Sequence, residues 1–259
     1  YKQVIRINPD FVEAHCNLGV AYNETGRYEE AIEAYKQAIR LDPYFAKTRN
    51  NLGVAYVRLS MYKKAIEAYK QVIRINPDFV EAHCNLGVAY NETGRYEEAI
   101  EAYKQAIRLD PYFAKTRNNL GVAYVRLSMY KKAIEAYKQA IKINPDYVDA
   151  HSNLGIAYTE LGRHEEAIEA CKQAIRINPD YAKAHCNLGV VYSKSGMHEE
   201  AIEACKQAIR INPDYAKAHY DIGVEYVQLN DKGSALEEYK ILKRLNSEMA
   251  NKLFNSIYK

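Results

Sequence analysis

The chain has 259 residues, 48% of them apolar and 27% charged, with a net charge of +3. This is the composition of an ordinary soluble protein, and so mild a charge argues against nucleic acid or an anionic membrane surface as a partner. No apolar run approaches the roughly eighteen residues that a membrane-spanning helix needs, so no membrane insertion is expected.

The five cysteines, Cys16, Cys84, Cys171, Cys186 and Cys205, are odd in number and form no C-x-x-C pair. Neither a disulfide framework nor a zinc ribbon is indicated, and free thiols on helices fit a reducing, cytoplasmic compartment. The chain opens inside a repeat at Tyr1-Lys-Gln-Val-Ile, so any targeting peptide is expected to lie outside it.

Residues 1–68 and 69–136 are letter-for-letter identical. Within them a looser period runs on to the end: Asn-Pro or Asp-Pro returns at 8–9, 42–43, 76–77, 110–111, 144–145, 178–179 and 212–213, thirty-four residues apart each time. A fixed period of that size marks a repeat array, in which each unit contacts only its neighbours. A block of two units is therefore copied without spoiling a shared core. Identity alone leaves a recent duplication and a deliberate one equally open.

In chain order, residues 1–11 supply only the second helix of a truncated repeat. Seven repeats follow at 12–45, 46–79, 80–113, 114–147, 148–181, 182–215 and 216–249. In the first, Leu18, Gly19, Ala21 and Tyr22 recur at helical spacing, and Ala31, Ile32, Tyr35, Ala38 and Ile39 form a second such set. Gly26 between them ends one helix in the left-handed conformation, and Pro43 ends the other. Each repeat is thus read as an antiparallel pair of short amphipathic helices that must stack to cover its apolar faces. Residues 250–259 are read as a capping helix, with Met249, Leu253 and Ile257 inward and Lys252, Asn255 and Lys259 elsewhere. At the other end, Val4, Ile5 and Ile7 lack a partner helix, which invites end-to-end self-association.

The run His15-x-x-Leu18-Gly19-x-x-Tyr22, then Ala31-x-x-x-Tyr35, then Pro43 resembles the tetratricopeptide repeat (TPR) signature. It departs from the family pattern where His or Arg stands for tryptophan, where Tyr, Cys171 or Cys205 stands for phenylalanine, and where Ser60, Ser128 and Asn230 stand for the turn glycine. The resemblance implies an all-α fold, a right-handed alpha-solenoid of TPR helical hairpins with a C-terminal capping helix. It further implies a non-catalytic protein-protein interaction scaffold whose partner is a protein or peptide ligand.

On each first helix, steps of 100° gather His15, Leu18 and Tyr22 on the expected core face and Glu13, Asn17, Val20 and Glu24 on the opposite side. In TPR superhelices that side resembles the concave, ligand-lining surface. Its amide recurs as Asn17, Asn51, Asn85, Asn119, Asn153 and Asn187 and becomes Asp221. Its aliphatic residue recurs as Val20, Val54, Val88, Val122, Ile156, Val190 and Val224. An amide donates to and accepts from a peptide backbone at once, so the row is similar to an asparagine ladder that grips an extended chain. The alternative is that each amide bridges neighbouring hairpins internally. Lys183, Lys194 and Lys217 make the C-terminal third of the stripe basic, which favours an acidic peptide end.

Equivalent histidines of adjacent repeats are too far apart to share a zinc ion, and nothing resembles a nucleophile–base pair or a phosphate loop. No cofactor, metal site or enzyme activity is expected. Against the scaffold stands a second reading, a self-assembling or engineered structural array with no dedicated ligand.

Overall fold

The Asn-Pro and Asp-Pro dipeptides set the rhythm of the backbone, because proline disfavours a helical conformation in the residue before it. Asn8, Asp42, Asn76, Asp110, Asn144, Asn178 and Asn212 each end a helix in an extended conformation, with φ between −129° and −137°. Their side chains then accept the backbone N–H two residues on, as Asp42 does from Tyr44 at 2.9 Å and Asn76 from Asp78 at 3.1 Å. The same seven dipeptides therefore stop one helix and fix the turn into the next.

The computed structural model describes residues 1–258, among which there are sixteen α-helices and no strand. They fall into two units, 1–127 and 128–259. The first holds α1 (Lys2–Ile7), α2 (Val12–Glu24), α3 (Tyr28–Leu41), α4 (Ala46–Arg58), α5 (Tyr62–Ile75), α6 (Val80–Glu92), α7 (Tyr96–Leu109) and α8 (Ala114–Arg126). The second holds α9 (Tyr130–Ile143), α10 (Val148–Thr159), α11 (His164–Ile177), α12 (Ala182–Lys194), α13 (His198–Ile211), α14 (Ala216–Gln228), α15 (Lys232–Leu245) and α16 (Ser247–Ile257). Within each unit a described helix packs only against the next one or two along the chain. This is an all-α solenoid of helical hairpins.

In the first unit each hairpin closes by laying a tyrosine on a glycine. A Cβ on Gly19, Gly53 or Gly87 would lie 2.5 Å from the ring of Tyr35, Tyr69 or Tyr103, respectively. Those rings are 1% exposed, and full burial of an aromatic side chain stabilises by about 1.5–3 kcal/mol. Ala31, Ile32 and Ala38 complete the buried face of α3.

In the second unit Tyr137 keeps this position, whereas Cys171 and Cys205 take it in α11 and α13 and sit against Gly155 and Gly189. At the C-terminal end the space over Gly223 receives Leu253 of α16. That helix starts at Ser247, where Asn246 caps it by accepting the Met249 N–H at 3.0 Å. Leu253 and Ile257 are buried, Met249 packs against them, and Lys252 and Asn255 are exposed. Lys259 lies outside the described residues.

The face expected for His15, Leu18 and Tyr22 is largely buried along the array, at Leu52, Leu86, Leu154 and Leu188, at Tyr90 and Tyr158, and at His151 and His219. In the first repeat, where only the short α1 packs before α2, His15, Leu18 and Tyr22 are half-buried and line a hollow of about 490 Å³ together with Ile5. Ala14, Cys16 and Gly19 are the buried residues of α2. The histidine has a further task. In five repeats its Nε2 donates to the carbonyl of the proline six residues back, from His15 to Pro9 at 2.8 Å through to His219 and Pro213 at 2.9 Å. Arg49 and Arg117 reach Pro43 and Pro111 in the same way. Histidine and arginine share this position because both carry a long-reaching N–H donor.

The remaining turn needs a left-handed residue. Gly26, Gly94, Gly162 and Gly196 supply it with φ from 71° to 76°, and Ser60, Ser128 and Asn230 are held at 55° to 59°. A side chain there costs about 1–2 kcal/mol, offset in part by the larger entropy that glycine loses on folding. Ser60→Gly is therefore expected to stabilise the protein by about 0.5–1 kcal/mol. A rise in melting temperature checks it, and an unchanged or lower value contradicts the strain.

Candidate functional site

The first helices of successive hairpins present their stripe residues side by side. In the first unit Asn17 and Val20 of α2 and Asn51 and Val54 of α4 line one hollow of about 350 Å³, whose floor includes Tyr35 and whose edge carries Glu24 and Lys47. Asn17 is exposed, while Asn51, Val20 and Val54 are half-buried. Neither amide side chain bonds another described residue. Asn23 lines the same hollow, and its Oδ1 is buried with no hydrogen-bond partner.

Farther along, the amides turn toward the protein. Asn85 donates from Nδ2 to Asn50 Oδ1 at 3.1 Å, which joins α6 to α4. Asn119 accepts from Asn118 at 3.5 Å, and Val88 and Val122 remain half-buried. In the second unit Asn153 is half-buried. Asn187 is 6% exposed and donates to the Ser152 hydroxyl at 2.9 Å, joining α12 to α10. Internal bridging, the alternative left open by the sequence, therefore describes Asn85 and Asn187. Asn187 offers no amide to a ligand and drops out of the candidate set.

The basic end is corrected too. Lys183 pairs with Asp149 at 3.3 Å, a carboxylate that also takes the Tyr181 hydroxyl at 2.5 Å. Lys217 pairs with Asp221 at 2.7 Å and lies 3.5 Å from the Cys186 sulfur. Burial opposes the Lys217 charge, yet the Cys186 and Asp221 side chains together hold its pKa above the ordinary lysine value. Of the three lysines, Lys194 alone is exposed and makes no ion pair with a described residue. Two of the three expected cations are thus already neutralised by acidic neighbours.

Sequence reasoning missed Glu225. It is 2% exposed on α14, accepting the Ser193 hydroxyl at 2.5 Å and the His198 Nδ1–H at 2.8 Å. The signal was present, since the equivalent position elsewhere is Ala21, Ala55, Ala89, Ala123, Ala157 or Val191. A carboxylate at a small apolar core position calls for partners.

All five cysteines are buried and unpaired as disulfides. Burial pushes the Cys171 thiol up to about 12, away from nucleophilic character. Among the described residues no group of three His, Cys, Asp or Glu side chains is placed to hold a metal ion. No described helix is long and apolar enough to cross a membrane.

Three family models match the chain by sequence. One, described as the cilia and flagella-associated protein 70 C-terminal domain, covers residues 79–252. Another, described as TPR repeat, covers 21–60 and 61–94, and a third, tetratricopeptide repeat, covers 1–33. No curated protein sequence matches the chain. Among solved structures, a tetratricopeptide repeat protein from Parabacteroides merdae ATCC 43184 superposes with a TM-score of 0.81 at 18% identity, over 96% of this chain and 99% of that one. MamA is 33% identical with a TM-score of 0.55, over 64% of this chain and 97% of its own. YrrB, described as a TPR protein with an unusual peptide-binding site, is 24% identical with a TM-score of 0.55, over 72% and 96%.

One contact at the C-terminal end is sensitive to pH. His219 is 4% exposed, and its Nε2 donates to the Pro213 carbonyl while Nδ1 lies 2.6 Å from Glu238 Oε2 on α15. A carbonyl only accepts, so Nε2 carries a proton and the carboxylate holds a second one on Nδ1. The Glu238 bond raises the His219 pKa against burial, helped by Pro213 and Asp214. A raised folded pKa means that the stabilisation is fully present below the unfolded value of about 6.5 and is lost as pH rises through the folded value. Melting temperature is expected to fall as pH increases through that window, by the equivalent of up to about 1.5–3 kcal/mol. His219→Gln should flatten this dependence; an unchanged slope contradicts the assignment.

Proposed function

We propose that this chain, which belongs to the tetratricopeptide repeat family, is a non-catalytic protein-binding scaffold that grips an extended peptide segment along the stripe of its first helices. The observation that carries the reading is the hollow shared by Asn17, Val20, Asn51 and Val54. It combines amides with no described partner, half-buried valines and a buried, unbonded carbonyl oxygen on Asn23. A buried acceptor without a partner is a standing deficit that a ligand N–H relieves. An extended backbone supplies such donors about every 3.3 Å of strand, and the valines give its side chains apolar contact.

Within the first unit Asn119 stands in the same row, with Val88 and Val122 beside the amides of α6 and α8, and extends the proposed track; in the second unit Asn153 holds the equivalent position on α10. Asn85 contributes chiefly by bracing α6 on α4. Lys194 is the cation available to a ligand, whereas Lys183 and Lys217 act through the carboxylates that they hold.

The test uses peptides selected from a random display library on the full chain. Asn17→Ala with Asn51→Ala removes two main-chain hydrogen bonds worth about 0.5–1.5 kcal/mol each, so affinity should fall roughly fivefold to a hundredfold with little change in melting temperature. Asn187→Ala should do the reverse, lowering the melting temperature and leaving affinity per folded molecule unchanged. Selected peptides that ignore the Asn17 and Asn51 substitutions sink the groove reading.

Val4 and Ile7, 41% and 83% exposed on α1, support a second reading in which copies associate end to end. Sedimentation velocity should then show a mass that grows with concentration and returns to monomer in Val4→Ser with Ile7→Ser. A constant monomer mass removes it.

A further inference from the structure

The second unit repeats the hollow of α2 and α4 between α12 and α14, with several changes. Cys205 stands where Tyr35 stands, and the hollow reaches Gly189. Tyr220 stands at the position of Asn50 and lines the hollow from α14. Asp221 replaces the ladder amide that Asn51 provides. Glu225 replaces the core alanine at Ala55. The result is a cavity of about 200 Å³, below the range of about 300–1,000 Å³ that drug-sized ligands occupy and suited to one long side chain.

Valines and the Tyr220 ring give it apolar walls, the Asp221 and Glu225 carboxylates accept within it, and Lys194 stands at its rim. Val190 and Val224 are half-buried on opposite helices. Asp221 and Glu225 lie one turn apart on the same face of α14. Asp221 takes Lys217 and the Cys186 thiol on Oδ2, and no described residue bonds its Oδ1. The Ser193 hydroxyl already donates to Glu225, and Lys194 at the rim pairs with neither carboxylate.

We propose that this cavity takes the basic side chain, arginine or lysine, of a peptide lying in the groove. The proposal rests on the groove reading and deepens it. The apolar stem lies between Val190 and Val224, and the cationic head donates to Asp221 Oδ1 beside the Glu225 carboxylate. Charge-assisted bonds of this kind are roughly twice as strong as neutral ones. The preference is opposite in sign to the acidic ligand end suggested by the three lysines, because two of them are occupied by their own carboxylates.

The full chain is titrated with acetyl-Gly-Gly-Arg-Gly-Gly-amide and with the same peptide carrying lysine, citrulline, norleucine or glutamate in place of arginine. The methyl resonances of Val190 and Val224 are followed against those of Val20 and Val54. The arginine and lysine peptides should shift Val190 and Val224 and bind roughly fivefold or more tighter than the other three. Cys205→Tyr restores the ring that α3, α5, α7 and α9 carry, so it is expected to fold, and it should abolish those shifts. Asp221→Asn restores the ladder amide and should remove the preference for a cation over citrulline. Equal binding of norleucine or glutamate, an arginine preference that survives Cys205→Tyr, or no shift with any peptide overturns the pocket. Shifts confined to Val20 and Val54 also overturn it, while leaving the groove reading in place for the asparagine variants to decide.

Discussion

The contact on which the structure depends is an aromatic ring set tightly against a residue with no side chain. Gly19, Gly53 and Gly87 let Tyr35, Tyr69 and Tyr103 approach the neighbouring helix more closely than any Cβ permits. Each hairpin is thereby closed by one large buried group, and the helix that carries the glycine is free to turn its opposite side outward. That outward side is where Asn17, Val20, Asn51 and Val54 converge. Packing within a hairpin and exposure of the stripe are two results of the same close approach.

Where the ring is missing, the consequences follow in order. Cys171 and Cys205 fill less space over Gly155 and Gly189, and the neighbouring first helices adjust with polar groups. On the first helix that follows Cys171, Asn187 turns in to Ser152. Beside Cys205 the corresponding residue is Asp221, drawn instead toward Lys217, and the hollow stays open. A cysteine in place of a tyrosine is thus a change of surface as much as a change of core. The buried Glu225, with Ser193 and His198 on its two oxygens, lines the same opening.

The fold was largely legible in the sequence because its rules are local. Pro9, Pro43 and their counterparts stop helices at a fixed interval, and Gly26 marks the other turn, so neither depends on distant parts of the chain. Ser60 and Ser128 were readable as replacements for glycine, and both adopt its left-handed conformation. The site was less legible because helical periodicity assigns a face and not a partner. It placed Asn17 and Asn187 on one stripe, yet one is exposed and the other buried, a difference set by Ser152 on a neighbouring helix. It likewise counted Lys183 and Lys217 as cations without seeing Asp149 and Asp221 beside them. Spacing put His15 on the inward face, a position buried at His151 and His219, but its bond to Pro9 emerged only when the loop's path was known.

The bond from each first-helix histidine or arginine to the proline carbonyl spans six residues. The loop that separates consecutive hairpins is therefore complete as soon as the first turn of the next helix exists. Since contacts within a unit also stop at the next helix or two, the chain has little need to wait for its own far end. Contact order of this kind gives fast folding, and an array whose repeats touch only their neighbours nucleates anywhere and then propagates. On the ribosome, each hairpin can settle onto the one before it while the next is still being translated, and the growing edge offers its apolar face for only about one repeat's worth of synthesis.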